Sequence, residues 1–164
     1  MKTLKIICTH CHKIQPREYG AFCEYCNQMT NIVYDLKQVK FRDSENPYLR
    51  FFDLLPVKDI ELLPKGASYT PTIHAKKLGA FLKMPKLYLK NETTLPTGST
   101  KFRNASVTLA YLYENGIYHF CTSSTGNSSS ANAHCISDFP EMKMSLFTSA
   151  DFRSRVNYTS NPTN

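Results

Sequence analysis

The sequence predicts an α/β fold: a partial parallel sheet with flanking helices, preceded by a small β ribbon. Three observations carry this. Between residues 86 and 149, β-branched and aromatic runs alternate with helix-period segments in the order strand, helix, strand, helix, strand. That order suits parallel strands joined by right-handed crossovers. The first 37 residues instead hold four of the chain's six cysteines, in two tight pairs. The composition, 41% hydrophobic and 20% charged over 164 residues, is that of a packed domain plus a small module.

The ribbon comes first, over 1–37. "CTHC" and "CEYC" place Cys8, Cys11, Cys23 and Cys26 as two C-x2-C pairs. A zinc ion takes four soft ligands in a tetrahedron, and each two-residue turn offers two sulfurs at one vertex. Paired thiols also serve redox chemistry, but two pairs this close favour metal. His10 and His12 stand as alternative ligands to the four cysteines. A ribbon of this size has too little core to fold alone, so metal would supply its stability. Pro16 and Gly20 suit a loop between short strands, and "NIVYDL" (31–36) follows as a strand.

Residues 38–80 form a linker. Within it "PYLRFFDLLP" (47–56) has helical spacing and stops at Pro56. The remaining span, 81–164, carries the α/β pattern. "KLYLKN" (86–91) is its first strand, and Ser99 is placed to cap a helix that runs to Gly116. Ala105, Leu109 and Leu112 share one helix face, with Val107 and Tyr111 nearby. "IYHFCTS" (117–123) is the second strand, where Cys121 is expected in the core. A helix follows "STGNSSS", and 143–149 is the third strand.

Several classes are excluded. No apolar run reaches the roughly 18–20 residues that span a bilayer, and the cysteine-interrupted start is not a secretory signal. A reducing, cytoplasmic setting is the expectation. The formal charge of +7 comes from scattered basic residues, so no nucleic-acid arm is expected. A Walker phosphate loop fails on the frame of its lysine.

The chemistry gathers in two loops at strand C-termini, where ligands collect in such sheets. In "PTGSTKFRNA" (96–105), Lys101 occupies the first turn of its helix. The positive end of the helix dipole disfavours an ammonium ion there, and partial burial would add to the effect. Both favour a neutral, nucleophilic amine, as a Schiff-base lysine requires. In "SSTGNSSSA" (123–131), hydroxyls and the backbone N–H groups of 127–129 suit an anion such as a carboxylate. A Ser-rich helix cap without a ligand explains that loop equally well.

These motifs resemble fold type II pyridoxal-phosphate (PLP) enzymes, and most closely their threonine synthase branch. The resemblance covers nearly the whole chain. It runs from the cysteine pairs through "NIVYDL", "DLLPV" and "ASYTPTIHAKKLG" to "LYLKNETTLPTGSTKFRNAS" and "CTSSTGNSSSANA". It implies that Lys101 anchors PLP and then acts as acid–base, and that Asn127 bonds the phenolic oxygen of the cofactor ring. Ser124, Thr125 and Ser128 would hold the substrate carboxylate, while Arg103 and Asn104 fix the helix. The implied reaction converts O-phosphohomoserine to threonine and phosphate, with PLP as cofactor, structural zinc in the ribbon and an amino-acid substrate as partner.

Thr100 and Phe102 flank the lysine where the family has an aromatic and an acidic residue, and Thr72 replaces a leucine. Two alternatives therefore stay open: another fold type II enzyme performing β-replacement, cysteine synthase-like, or a non-catalytic zinc-ribbon binding module. Enzymes of this type are about twice this long, and the glycine-rich loop for the PLP phosphate is missing here. The resemblance thus implies an N-terminal portion whose active site is completed by a homo-oligomer or a complementing C-terminal polypeptide.

Overall fold

The computed structural model describes residues 4–16, 20–65 and 69–155. Three parts of the sequence reading therefore lie outside the described residues: 17–19 of the ribbon spacer, 66–68 before "YTPT", and the closing residues 156–164.

The ribbon is an antiparallel pair, β1 (Leu4–Cys8) and β2 (Thr30–Tyr34), with Leu4 opposite Tyr34 and Cys8 opposite Thr30. Two single bridges, Ile7 with Ile14 and Phe22 with Met29, close the cysteine turns. Each pair is followed by a left-handed residue, His12 at φ 59° and Asn27 at φ 56°. Histidine and asparagine are among the residues that tolerate this region. Little apolar surface is covered: Ile6 is buried, but Ile14, Phe22, Met29, Ile32 and Val33 are all exposed. The Tyr34 hydroxyl donates to the Leu54 carbonyl at 2.7 Å and ties the ribbon to the linker.

The linker helix is shorter than its periodicity suggests. α1 spans Pro47–Arg50, capped by the Asn46 side chain, and a separate 3-10 turn covers Phe52–Leu54. It still delivers Tyr48, Phe52 and Val57 to the main core.

That core lies between two helices. α3 (Lys101–Glu114) contributes Phe102, Ala105, Leu109 and Ala110; α4 (Asn127–Cys135) contributes Ala131 and Cys135. The alanines let the helix backbones approach closely. α3 ends at Asn115 and Gly116 (φ 72°), where the Gly116 and Ile117 N–H groups return to the Tyr113 and Leu112 carbonyls. This is the glycine-terminated stop that "NG" announces.

The sheet differs in part from the sequence reading. β5 (His119–Ser123) and β6 (Lys143–Phe147) are parallel and joined through α4. The first strand of the series, however, narrows to β4 (Tyr88–Lys90) and pairs antiparallel with β3 (Thr72–His74). α2 (Lys76–Phe81) lies between these two in sequence. A three-residue strand is too short to show a period of two, so β3 went unread and β4 found its partner close by in the chain. The fold remains mixed α/β, and among the described residues no helix is long and apolar enough to cross a membrane.

Cys121 is exposed, contrary to its expected place in the core, while Cys135 is buried. The two faces of β5 alternate, so Phe120 turns toward the core and Cys121 away from it. A one-residue choice of phase decided which.

Candidate functional site

Two centres carry chemistry. In the ribbon, the Sγ atoms of Cys8, Cys11, Cys23 and Cys26 all lie within 4.8 Å of one another. Cys8 stands 3.5 Å from Cys26, and Cys11 stands 3.7 Å from Cys23. His10 and His12 are exposed and outside this cluster, so the four-cysteine set is the one that gathers.

Backbone donors surround the sulfurs. The N–H groups of His10 and Cys11 reach Cys8 Sγ at 3.3 Å each, and Tyr25 N–H reaches Cys23 Sγ at 3.3 Å. Burial alone would raise the Cys8 thiol, yet the Cys11 and His10 N–H groups and the neighbouring sulfurs bring it down to about 6. Cys23 is lowered against burial in the same way, chiefly by Tyr25 and Cys26 N–H. For Cys26 the Gln28 N–H works downward, but burial and the other three sulfurs win and push it up to about 12. The last proton is retained because four thiolates cannot share this space unneutralised. A bound divalent cation removes that penalty.

Gln15 was not singled out from sequence. It is buried, with its Nε2 donating to Lys13 O at 2.9 Å and to Cys23 Sγ at 3.4 Å, while its Oε1 accepts from Glu24 N at 2.9 Å. One amide thus links the two cysteine turns. A glutamine in a polar spacer carries no pattern that would reveal this.

The second centre is the start of α3. Lys101 is its first residue and is exposed, so the burial expected for it is not supplied by the residues around it here. Thr100, not Ser99, is the N-cap, and its side chain makes no capping bond. The Thr97 and Ser99 hydroxyl oxygens in the turn behind Lys101 are buried and, among the described residues, have no hydrogen-bond partner. Buried hydroxyls are ordinarily paired.

The first turn of α3 is instead held from the side. Arg103 Nε bonds Glu92 Oε2 at 2.6 Å, and its NH2 bonds Glu92 Oε1 at 3.1 Å, a two-pronged ion pair. Thr70, fully buried, donates its hydroxyl to Glu92 at 2.6 Å and accepts from Arg103 at 3.1 Å. Lys90 donates to the Thr70 carbonyl. The Arg103 guanidinium, with Thr70 and Lys90 adding to it against burial, holds the Glu92 carboxyl below its ordinary value. Arg103 is therefore a fixing residue, as the sequence reading had it. Thr70 and Glu92 were missed, because a contact across 33 and 11 residues leaves no local signature.

At the second loop, Ser124 Oγ accepts from Gly126 N at 3.3 Å and from Ser129 N at 3.2 Å. Ser129 Oγ closes back on Gly126 O at 2.6 Å. The serines thus cap α4, and Asn127 and Thr125 are left exposed at its start. Ser123, Ser124, Thr125, Phe147, Thr148 and Ser149 line an open depression at the C-terminal ends of β5 and β6. Its Thr148 hydroxyl is buried without a partner among the described residues.

The two loops meet indirectly. α3 and α4 pack together, with the Phe102 and His134 rings 5.8 Å apart and Ser106 Oγ 3.5 Å from Cys135 Sγ. His134 lies seven residues beyond Asn127, about 10 Å along the helix. Among the described residues no hydrogen bond joins Lys101 to Asn127.

Comparison with known proteins agrees with this arrangement. Residues 63–155 match the family described as pyridoxal-phosphate dependent enzyme. The threonine synthase of Methanocaldococcus jannaschii is 31% identical over 157 residues, covering 85% of this chain and 38% of the relative. That of Methanosarcina acetivorans is 31% identical over 117 residues, covering 68% of this chain and 28% of the relative. The chain thus spans well under half the length of these relatives. No solved structure matches it.

Proposed function

Because this chain belongs to the pyridoxal-phosphate dependent enzyme family, we propose that it carries the lysine-bearing part of a threonine synthase-like lyase. The substrate would be a phosphorylated amino acid, O-phosphohomoserine, in a reducing, cytoplasmic setting. The observation that carries the reading is Lys101 as the first residue of α3, with the unpaired buried hydroxyls of Thr97 and Ser99 directly behind it. Unsatisfied polar atoms beside an accessible amine fit a polar ligand better than a packed core.

Pyridoxal phosphate, when bound, supplies an electron sink for carbanion chemistry at the substrate carbons. The rest falls to the protein. Lys101 Nζ would hold the cofactor and then move a proton at the substrate carbons. Asn127, exposed at the start of α4, would donate its side-chain amide to the cofactor ring. Ser124 Oγ already accepts two backbone N–H groups, which leaves its own O–H free to donate to a substrate carboxylate. Thr125 and Ser128 would join it, aided by the positive end of α4. A complementing polypeptide would supply the partners of the cofactor phosphate.

The ribbon (1–37) would hold one zinc on Cys8, Cys11, Cys23 and Cys26, with 38–80 as linker and 81–164 as the lysine-bearing unit. Zinc is favoured over other ions by an all-sulfur set in which every ligand is a cysteine.

The test is to incubate the chain with pyridoxal phosphate, reduce with borohydride, and map the pyridoxyl group by peptide mass spectrometry. Lys101 should carry it in preference to exposed lysines such as Lys76 and Lys86, and Lys101→Ala should abolish the absorbance of the bound cofactor. Equal labelling of all exposed lysines would sink the assignment.

A further inference from the structure

The first turn of α3 is where Lys101 is presented, yet it lacks the side-chain cap that normally stops a helix start from fraying. What replaces the cap is sideways attachment. Successive helix residues point about 100° apart. Lys101 faces outward, Phe102 is buried with its ring against His134, and Arg103, about 200° round from Lys101, reaches Glu92 and Thr70.

We propose that Thr70, Glu92 and Arg103 form a positioning clamp that sets the rotation of the first turn of α3 and thereby the direction in which Lys101 presents its amine. The inference rests on the role assigned to Lys101 above. It adds residues that act through Lys101 without touching a reacting atom.

The geometry makes the clamp specific. It gathers three separate stretches of chain: Thr70 before β3, Glu92 in the 3-10 turn after β4, and Arg103 on α3. The planar guanidinium engages both carboxylate oxygens, which resists twisting as a single ammonium contact cannot. Thr70 is the keystone: its hydroxyl donates to the carboxylate and accepts from the guanidinium, and it has no exposed surface. The Arg103 and Glu92 side chains are only 24% and 23% exposed, so water competes weakly for them. Lys90, donating to the Thr70 carbonyl, keeps the keystone in place.

The experiment uses the full chain and three variants: Thr70→Val, which removes the hydroxyl at nearly constant volume, Arg103→Lys, which keeps the charge without the fork, and Glu92→Gln. Two readouts are taken. One is amide exchange in residues 102–105 compared with 109–114. The other is the share of pyridoxyl label on Lys101 relative to Lys76 and Lys86 after borohydride reduction. The clamp requires exchange at 102–105 to rise about tenfold, the loss of roughly one charge-assisted hydrogen bond, while 109–114 stays protected. The Lys101 share must fall in the same variants. Faster exchange with an unchanged Lys101 share, or no change in either readout, overturns the clamp. So does loss of protection along the whole of α3 in Thr70→Val, since the residue would then hold the fold in general. If the unaltered chain shows no preference for Lys101, the proposed function itself fails. A preference that all three variants keep defeats the clamp alone.

Discussion

Gly79→Ala should destabilise the chain, although the same change inside a helix ordinarily helps. Gly79 sits within α2 and is buried. Alanine gains about 1 kcal/mol over glycine in a helix interior. At Gly79, however, a methyl carbon would stand 2.6 Å from the Met84 carbonyl oxygen and 3.4 Å from Leu87 Cβ. The first distance is well inside van der Waals contact, and the oxygen cannot easily retreat. Met84 N–H donates to Gly79 O at 2.7 Å, Leu87 N–H donates to Met84 O at 3.1 Å, and Lys83 beside it is already left-handed at φ 58°.

Overpacking against a held backbone costs about 1–3 kcal/mol, enough to cancel the propensity gain and leave a net loss of about 1–2 kcal/mol. For a chain of this size that is a fall in Tm of roughly 2–4 °C per kcal/mol. Thermal and urea unfolding followed by circular dichroism would measure it. Gly98→Ala is the control: at φ 65° with nothing within 4 Å, it carries left-handed strain of about 1 kcal/mol and no overlap. A Gly79→Ala chain as stable as the original, or more so, would refute the argument that the return of the chain through Met84 decides the sign.

Three further outcomes are expected. Leu109→Ala, at a fully buried position between α3 and α4, should cost about 3–5 kcal/mol by urea unfolding. Glu92 is held below its ordinary carboxyl value by Arg103, so its contribution to stability is present above the unfolded-state value and is lost as pH falls through the folded one. An acid titration of stability should therefore lose part of its slope in Glu92→Gln, and an unchanged slope would contradict the ion pair. Chelation should strip about one zinc per chain and collapse amide protection in β1 and β2, which bury only Ile6, Cys8, Cys23 and Gln15 among the described ribbon residues, while α3 and α4 stay protected. Equal loss in both regions would show that the two do not fold separately.

Much of this was open to reading in the chain itself because the relevant physics is local. Two C-x2-C turns place sulfurs within a few residues of one another, whatever surrounds them. "NG" at 115–116 stops a helix by backbone conformation alone. The face Ala105–Leu109 follows from helix geometry, and the turn "PTGST" places Lys101 at a helix start without reference to any other element. The resemblance to a pyridoxal-phosphate family rests on such stretches, and the family match over 63–155 agrees with it.

What only the tertiary structure decided concerns partners distant in sequence. The Ser99 cap gave way to an uncapped Thr100 because Arg103 is held across space by Glu92 and Thr70. Cys121 turned outward because the phase of a strand is chosen by what lies beneath the sheet, not by the strand's own alternation. β4 left the parallel series for β3 because a strand takes the edge that its fold brings near. The four-cysteine centre needed Gln15 to tie its halves, and no spacing rule names that residue. Sequence patterns report the conformations a segment can hold alone; the pairings between segments are set by packing and charge, which exist only once the chain has folded.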